Sequence, residues 1–167
     1  GNTSLLRFNE FDQSPISNSI ENKVLDLIKK EINKTDLIIL SDFSYGVITK
    51  KLVDTINKFK TKNKKLIIVG DSQSSSQIGD ITKFSNIDLT TPTEYEIRLG
   101  LRDFSSGLVE LGLQAIKQNI SKNVIITLNK EGVLIQQGKE KFSTDKIAAL
   151  SNVVRDPAGA GDCFLCA

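Results

Sequence analysis

Three short runs constrain this chain more than anything else in it: Asp36-Leu37-Ile38-Ile39-Leu40, Lys65-Leu66-Ile67-Ile68-Val69 and Asn123-Val124-Ile125-Ile126-Thr127-Leu128. A strand with one wet face alternates apolar and polar residues, whereas a run that stays apolar must bury both faces. The first two end in a small residue and an acid, Ser41-Asp42 and Gly70-Asp71. Helical periodicity fills the intervals. Ile20, Val24, Leu27, Ile28 and Ile32 recur at three and four, with Asn18 or Ser19 as the cap. Thr49 caps a second helix that turns Leu52, Val53, Ile56 and Phe59 inward, and Phe104 to Ile120 forms another with Leu108, Leu111, Ala115 and Ile116 on one stripe. Ile87-Asp88-Leu89-Thr90 is a weaker strand, and Asn129-Lys130-Glu131-Gly132 turns the third apolar run back into Val133-Leu134-Ile135 as a hairpin. Leu5-Leu6-Arg7-Phe8 and Glu140 to Thr144 are candidate short strands. The pattern predicts one α/β domain over residues 1–167, a mostly parallel sheet with helices on both faces.

Composition removes several function classes. A net charge of +2 is too small to argue for a nucleic-acid or membrane-surface partner, and the lysine run Lys58 to Lys65 reads as a solvated helix end and loop. With no histidine there is no Ser-His-Asp or Cys-His mechanism, so carboxylates, lysines and backbone donors must carry any chemistry. Cys163 and Cys166 stand three apart without further ligands for a zinc site; they are expected to be buried thiols rather than a redox pair, in a reducing, cytoplasmic setting. No signal peptide or 18-residue apolar run is present. The absence of methionine suggests part of a longer product.

In parallel sheets, ligands bind beyond the carboxyl ends of the strands. Asp42, Asp71, Thr91 to Glu96, Thr127 to Gly132 and the tail Asp156-Pro157-Ala158-Gly159-Ala160-Gly161-Asp162 all fall at or near that edge. In the tail, small residues open an apolar helix. Free N–H groups and the positive end of a helix dipole suit an anion there, and a carboxylate beside it suits a general base.

That tail resembles the C-terminal signature of the PfkB (ribokinase-like) carbohydrate kinases. The resemblance implies that Asp162 is the catalytic base and that the N–H groups of Gly159, Ala160 and Gly161 form the anion hole for the transferring phosphoryl group. Thr90-Thr91-Pro92-Thr93-Glu94-Tyr95-Glu96 resembles the family's Thr-Pro-Asn-x-x-Glu segment, with Thr93 in place of asparagine. Glu96 then reaches magnesium through water; the same residues also spell a capping box. Ile126-Thr127-Leu128-Asn129-Lys130-Glu131-Gly132 is similar to the family's Val-Thr-Leu-Gly-x-x-Gly turn at the nucleotide, which places Thr127, Asn129 and Gly132 there; a plain hairpin accounts for it equally. Ser41-Asp42-Phe43-Ser44-Tyr45-Gly46 resembles a segment of the heptose-7-phosphate kinases of the ADP-heptose pathway. Asp42 is then a sugar contact, or else a strand-end turn residue.

The resemblance implies an ATP- and Mg²⁺-dependent sugar kinase acting on a sugar or sugar phosphate, with a homodimer formed through a lid. It also implies that the sugar-binding segment and the lid precede these residues, so residues 1–167 alone are expected to turn over little. A nucleotide-binding regulatory module that keeps the fold is the competing expectation, and Thr93 is its support.

Overall fold

A computed structural model describes residues 14–74, 79–138, 144–151 and 159–166. The candidate strand Leu5 to Phe8, part of the serine-rich loop after Asp71, most of Glu140 to Thr144, and Asp156 to Ala158 lie outside them.

Six strands form one sheet in sequential order: β1 (Leu37–Asp42), β2 (Ile67–Ser72), β3 (Ile87–Thr90), β4 (Ser121–Thr127), β5 (Val133–Gln137) and β6 (Thr144–Ile147). β1 to β4 run parallel and β4–β5–β6 antiparallel, as the apolar runs and the predicted hairpin require. The helices are α1 (Asn18–Glu31), α2 (Lys50–Lys62), α3 (Glu94–Leu101), α4 (Leu108–Lys117) and α5 (Ala160–Cys166). The caps explain most boundaries. Ser17, one residue before the expected cap, accepts a hydrogen bond from the Ile20 N–H at 3.4 Å, and Thr49 does the same for Leu52 at 3.1 Å. The predicted helix from Phe104 to Ile120 is shorter than its periodicity suggested. Asp103 gathers the N–H groups of Ser105 and Ser106 into a turn, so α4 starts only after Gly107.

Side-chain alternation sorts the helices into layers. Ile38, Leu40, Ile68 and Gln136 point to one face, where Leu52 and Ile56 of α2 are buried and α1 and α4 also pack. Gly112 of α4 approaches Gln136 so closely that an added Cβ would lie 2.9 Å from its Cβ. Ser41 and Asp71 point to the other face, where α5 lies against β2. The result is the expected three-layer α/β architecture, with a thin third layer among the described residues. β1 is correspondingly not the fully buried strand expected: it is an edge strand, and Leu37 and Ile39 are exposed on the α5 side together with Ile67. The two thiols are also exposed rather than buried, because α5 meets the sheet along one side and the described residues leave its outer side open. No helix among the described residues is long and apolar enough to cross a membrane.

The β4–β5 turn is a single 3₁₀ turn, Asn129–Glu131, closed by the Leu128 N–H on the Gly132 carbonyl at 2.8 Å. Asn129 takes a left-handed φ of 51°, which asparagine tolerates. Gly132 has φ 94° and ψ −131°, a region essentially reserved for glycine, and a Cβ there would fall on the Ile147 carbonyl oxygen of β6. Gly132→Ala is therefore expected to cost about 2–4 kcal/mol, combining backbone strain with displacement of β6. Chemical denaturation would register this as a lowered midpoint at constant slope.

Candidate active site

The carboxyl edge of the sheet gathers most of the predicted residues, in two groups joined by one glutamate. The first group lies where β3 and β4 end. The Thr127 N–H donates to the Pro92 carbonyl at 2.9 Å, and a parallel bridge joins Thr93 to Thr127. Beside this clasp is an open cleft of about 580 Å³ lined by Thr93, Tyr95, Arg98, Thr127, Leu128 and Asn129. Three of the residues that sequence reasoning assigned to a nucleotide, Thr93, Thr127 and Asn129, thus line one cavity. Gly132 shapes the turn behind them.

The second group lies over β1 and β2 on the α5 side. Asp162, in the first turn of α5, accepts a hydrogen bond on Oδ1 from Gln73 Nε2 at 2.6 Å and another, longer one from Ser41 Oγ at 3.5 Å. Just before it, Gly159 adopts a left-handed φ of 75° that lets the chain turn into the helix, and its carbonyl accepts the Cys163 N–H at 3.0 Å. Among the described residues a Cβ added at Gly159 or Gly161 would meet nothing within 4 Å, so both α-carbons face open space. Ala160 begins the helix between them, where N–H groups have no intrahelical partner.

Glu96 joins the two groups. One of its oxygens accepts the Thr93 N–H at 2.8 Å, and the Thr93 hydroxyl accepts the Glu96 N–H at 3.2 Å, completing the capping box. The other oxygen accepts the Ser74 N–H at 2.8 Å, from the segment that follows β2. Both oxygens thus accept from backbone donors, which fixes the carboxylate between the two groups.

Asp71, at the end of β2, is the residue that sequence reasoning passed over without a role. It is 4% exposed, and its Oδ1 has no hydrogen-bond partner among the described residues. Burial, then the charges of Glu96 and Asp162, push its carboxyl up to about 7, opposed only by the Ser72 backbone donor. Its position was the available signal: an acid ending a central parallel strand, in the same alternation phase as the β1 serine. Asp42 points the other way. It is buried on the helix-covered face, paired with Lys83 at 2.5 Å, and accepts the Ser72 hydroxyl at 2.9 Å and the Ser44 N–H at 3.0 Å. That is the strand-end role which the sequence left open beside the sugar contact.

Among the described residues no group of three or more acids or thiols is arranged to hold a metal ion directly. Magnesium rarely needs one: it keeps several waters and takes one or two carboxylates plus substrate phosphates. The unpartnered, buried Asp71 oxygen among the charges of Glu96 and Asp162 fits such an ion, because a divalent cation would relieve the carboxylate repulsion.

Comparison with known proteins identifies the family and the fold. Residues 11–167 match the model of the pfkB family carbohydrate kinases, and the chain belongs to that family. It is similar to the bifunctional protein HldE of Helicobacter pylori (strain G27), at 28% identity over 164 residues that cover 96% of this chain and 34% of that protein. The corresponding protein of Sulfurimonas denitrificans is 30% identical over 162 residues, 95% of this chain and 32% of the relative. The chain thus spans about a third of the length of the curated relatives it matches. Among solved structures it resembles ribokinase from Giardia lamblia, with a TM-score of 0.67 and 24% identity over 86% of this chain and 44% of that one, a likeness of fold.

The raised carboxyl of Asp71 has a direct consequence for stability. Its folded value of about 7 lies above the unfolded value near 4, so between those limits the folded state holds the proton more tightly. Stability then falls as pH rises from about 4 to about 7, and the loss is complete above the folded value. Asp71→Asn removes the ionisation. In metal-free buffer it is expected to leave stability near pH 4 unchanged and to raise it by about 2–4 kcal/mol at pH 8. Urea melts of both proteins across this range would show the wild-type slope flattened in the variant.

Proposed function

We propose that this chain is the nucleotide-binding and catalytic-base portion of an ATP-dependent sugar kinase whose acceptor is a heptose phosphate. The carrying observation is the placement of Asp162 at the opening of a short helix, with open space over Gly159 and Gly161 and its carboxylate oriented from β1 and β2. Family membership supports the kinase, and the resemblance of the stretch Ser41 to Gly46 to a segment of the heptose-7-phosphate kinases supports the heptose acceptor.

The chemistry follows from the residues. Phosphoryl transfer needs mainly positioning and charge stabilisation. The cleft of Thr93, Thr127 and Asn129 receives the nucleotide, and its phosphates extend past Glu96 towards α5. Asp162 accepts the proton of the acceptor hydroxyl as that oxygen attacks the γ-phosphorus and the bond to ADP breaks. The N–H groups at Gly159, Ala160 and Gly161 stabilise charge on the phosphoryl oxygens in flight. Magnesium, when bound, supplies charge neutralisation on the phosphates, and Asp71 with Glu96 through water are the residues that would hold it. One feature favours a regulatory module as the second reading. Thr93 stands where the family has asparagine, and its hydroxyl already accepts the Glu96 N–H.

Full-length protein should release ADP from ATP and Mg²⁺ when given a heptose 7-phosphate, more readily than with the unphosphorylated sugar. Asp162→Asn is expected to cut that turnover by about 10²–10⁴-fold while calorimetry still detects ATP binding. Turnover unaffected by the substitution removes Asp162 as the base. Nucleotide binding without turnover on a panel of sugars and sugar phosphates favours the regulatory reading.

A further inference from the structure

We infer that Gln73 is a positioning residue for the base: its amide fixes one oxygen of Asp162 so that the other faces the acceptor hydroxyl. The inference rests on Asp162 being the base and adds a residue that the family motifs do not contain.

Gln73 is held from both sides. Its N–H donates to the Asp42 carbonyl at 2.9 Å, which extends the β1–β2 ladder one residue past the strands, and the next N–H, Ser74, donates to Glu96 at 2.8 Å. Alternation then sends its side chain to the face that carries Ser41, Asp71 and α5. There Nε2 donates to Asp162 Oδ1 at 2.6 Å. An ionised carboxylate only accepts, so the contact fixes which end of the amide faces it. Ser41 Oγ approaches the same oxygen at 3.5 Å. Among the described residues both donors act on Oδ1 and none on Oδ2, which leaves Oδ2 to take a proton.

The need for such a donor follows from the charges around the base. Asp71 on β2 is repelled by the charges of both Asp162 and Glu96, so a base at Asp162 has a carboxyl neighbour that pushes against it. A lysine at position 73 would anchor the carboxylate too, but its charge would depress the basicity that proton abstraction needs. A neutral amide anchors it at less cost to basicity.

The test uses full-length protein with ATP, Mg²⁺ and a heptose 7-phosphate. Gln73→Leu is expected to lower kcat by about 10- to 100-fold, with KM for ATP within about twofold and an unchanged melting temperature. In the Asp162→Asn background the same change should cause no further loss, because there is no longer a base to position. Gln73→Glu, which sets a like charge against the base in place of a donor, is expected to lose at least as much kcat as Gln73→Leu, again with KM for ATP within about twofold. A kcat loss that multiplies with that of Asp162→Asn, or a loss carried by KM rather than kcat, overturns the positioning role. If Asp162→Asn abolishes turnover while Gln73→Leu leaves kcat intact, only this inference fails. If Asp162→Asn keeps full turnover, the reading beneath it fails as well.

Discussion

β1 and β2 are paired in parallel with Ser41 opposite Asp71 and Asp42 opposite Ser72, and that register organises the carboxyl edge of the molecule. Side chains alternate across a strand, so opposed residues share a face and successive residues do not. Ser41, Asp71 and Gln73 are thereby delivered to the side where α5 brings Asp162, while Asp42 and Ser72 go to the helix-covered side and close around Lys83. A slip of one residue would exchange the two sets. It would bury Asp71 where Lys83 waits and set Asp42 beside the base. The apolar runs upstream prevent the slip, because Ile38, Leu40 and Ile68 fill the core on one face only.

Within that frame the two buried aspartates have opposite energetics. Asp42 is compensated by a lysine ammonium, a hydroxyl and a backbone N–H, which offset the cost of burying its charge. Asp71 is buried with an unpartnered oxygen among the described residues and like charges beside it, against one backbone donor, which is why its carboxyl is pushed up to about 7. Stability alone gives no reason to keep a carboxyl there, since an uncharged residue would avoid both the desolvation and the repulsion. Buried groups with such environments concentrate where a protein handles ligands. The repulsion that Glu96 and Asp162 exert on Asp71 is of the kind a bound cation would relieve.

Much of this was legible from the residues because the signals were local. Continuous apolar runs announced the parallel strands, Thr49 and Thr93 announced helix starts, and Asn129 and Gly132 announced the turn whose dihedral angles require them. The start of the last helix was legible for the same reason, since glycines ahead of an acid and an apolar run describe a helix opening. What escaped depended on layers and partners. The edge position of β1, the exposure of Cys163 and Cys166, and the start of α4 after Gly107 follow from what lies next to an element rather than from its own pattern. Asp42 and Asp71 looked equivalent as acids ending apolar runs. Only the register between their strands separates an ion-pair partner from a site residue.

Glu96 shows why structural and functional readings of one residue need not compete. As the last member of a capping box it fixes the start of α3 and with it Thr93, which lines the cleft and bridges to Thr127. Through its other oxygen it holds Ser74, and so fixes the segment that presents Gln73 to Asp162. A carboxylate can do both because it accepts on two oxygens at once, which neither a hydroxyl nor an amide could match without adding donors. In the proposed reaction, the distance between a nucleotide in the cleft and a base on α5 would depend on this one side chain between backbone N–H groups. Transfer of a phosphoryl group is governed by how closely and squarely donor and acceptor are held, so a bridge of this kind belongs to the chemistry as much as to the fold.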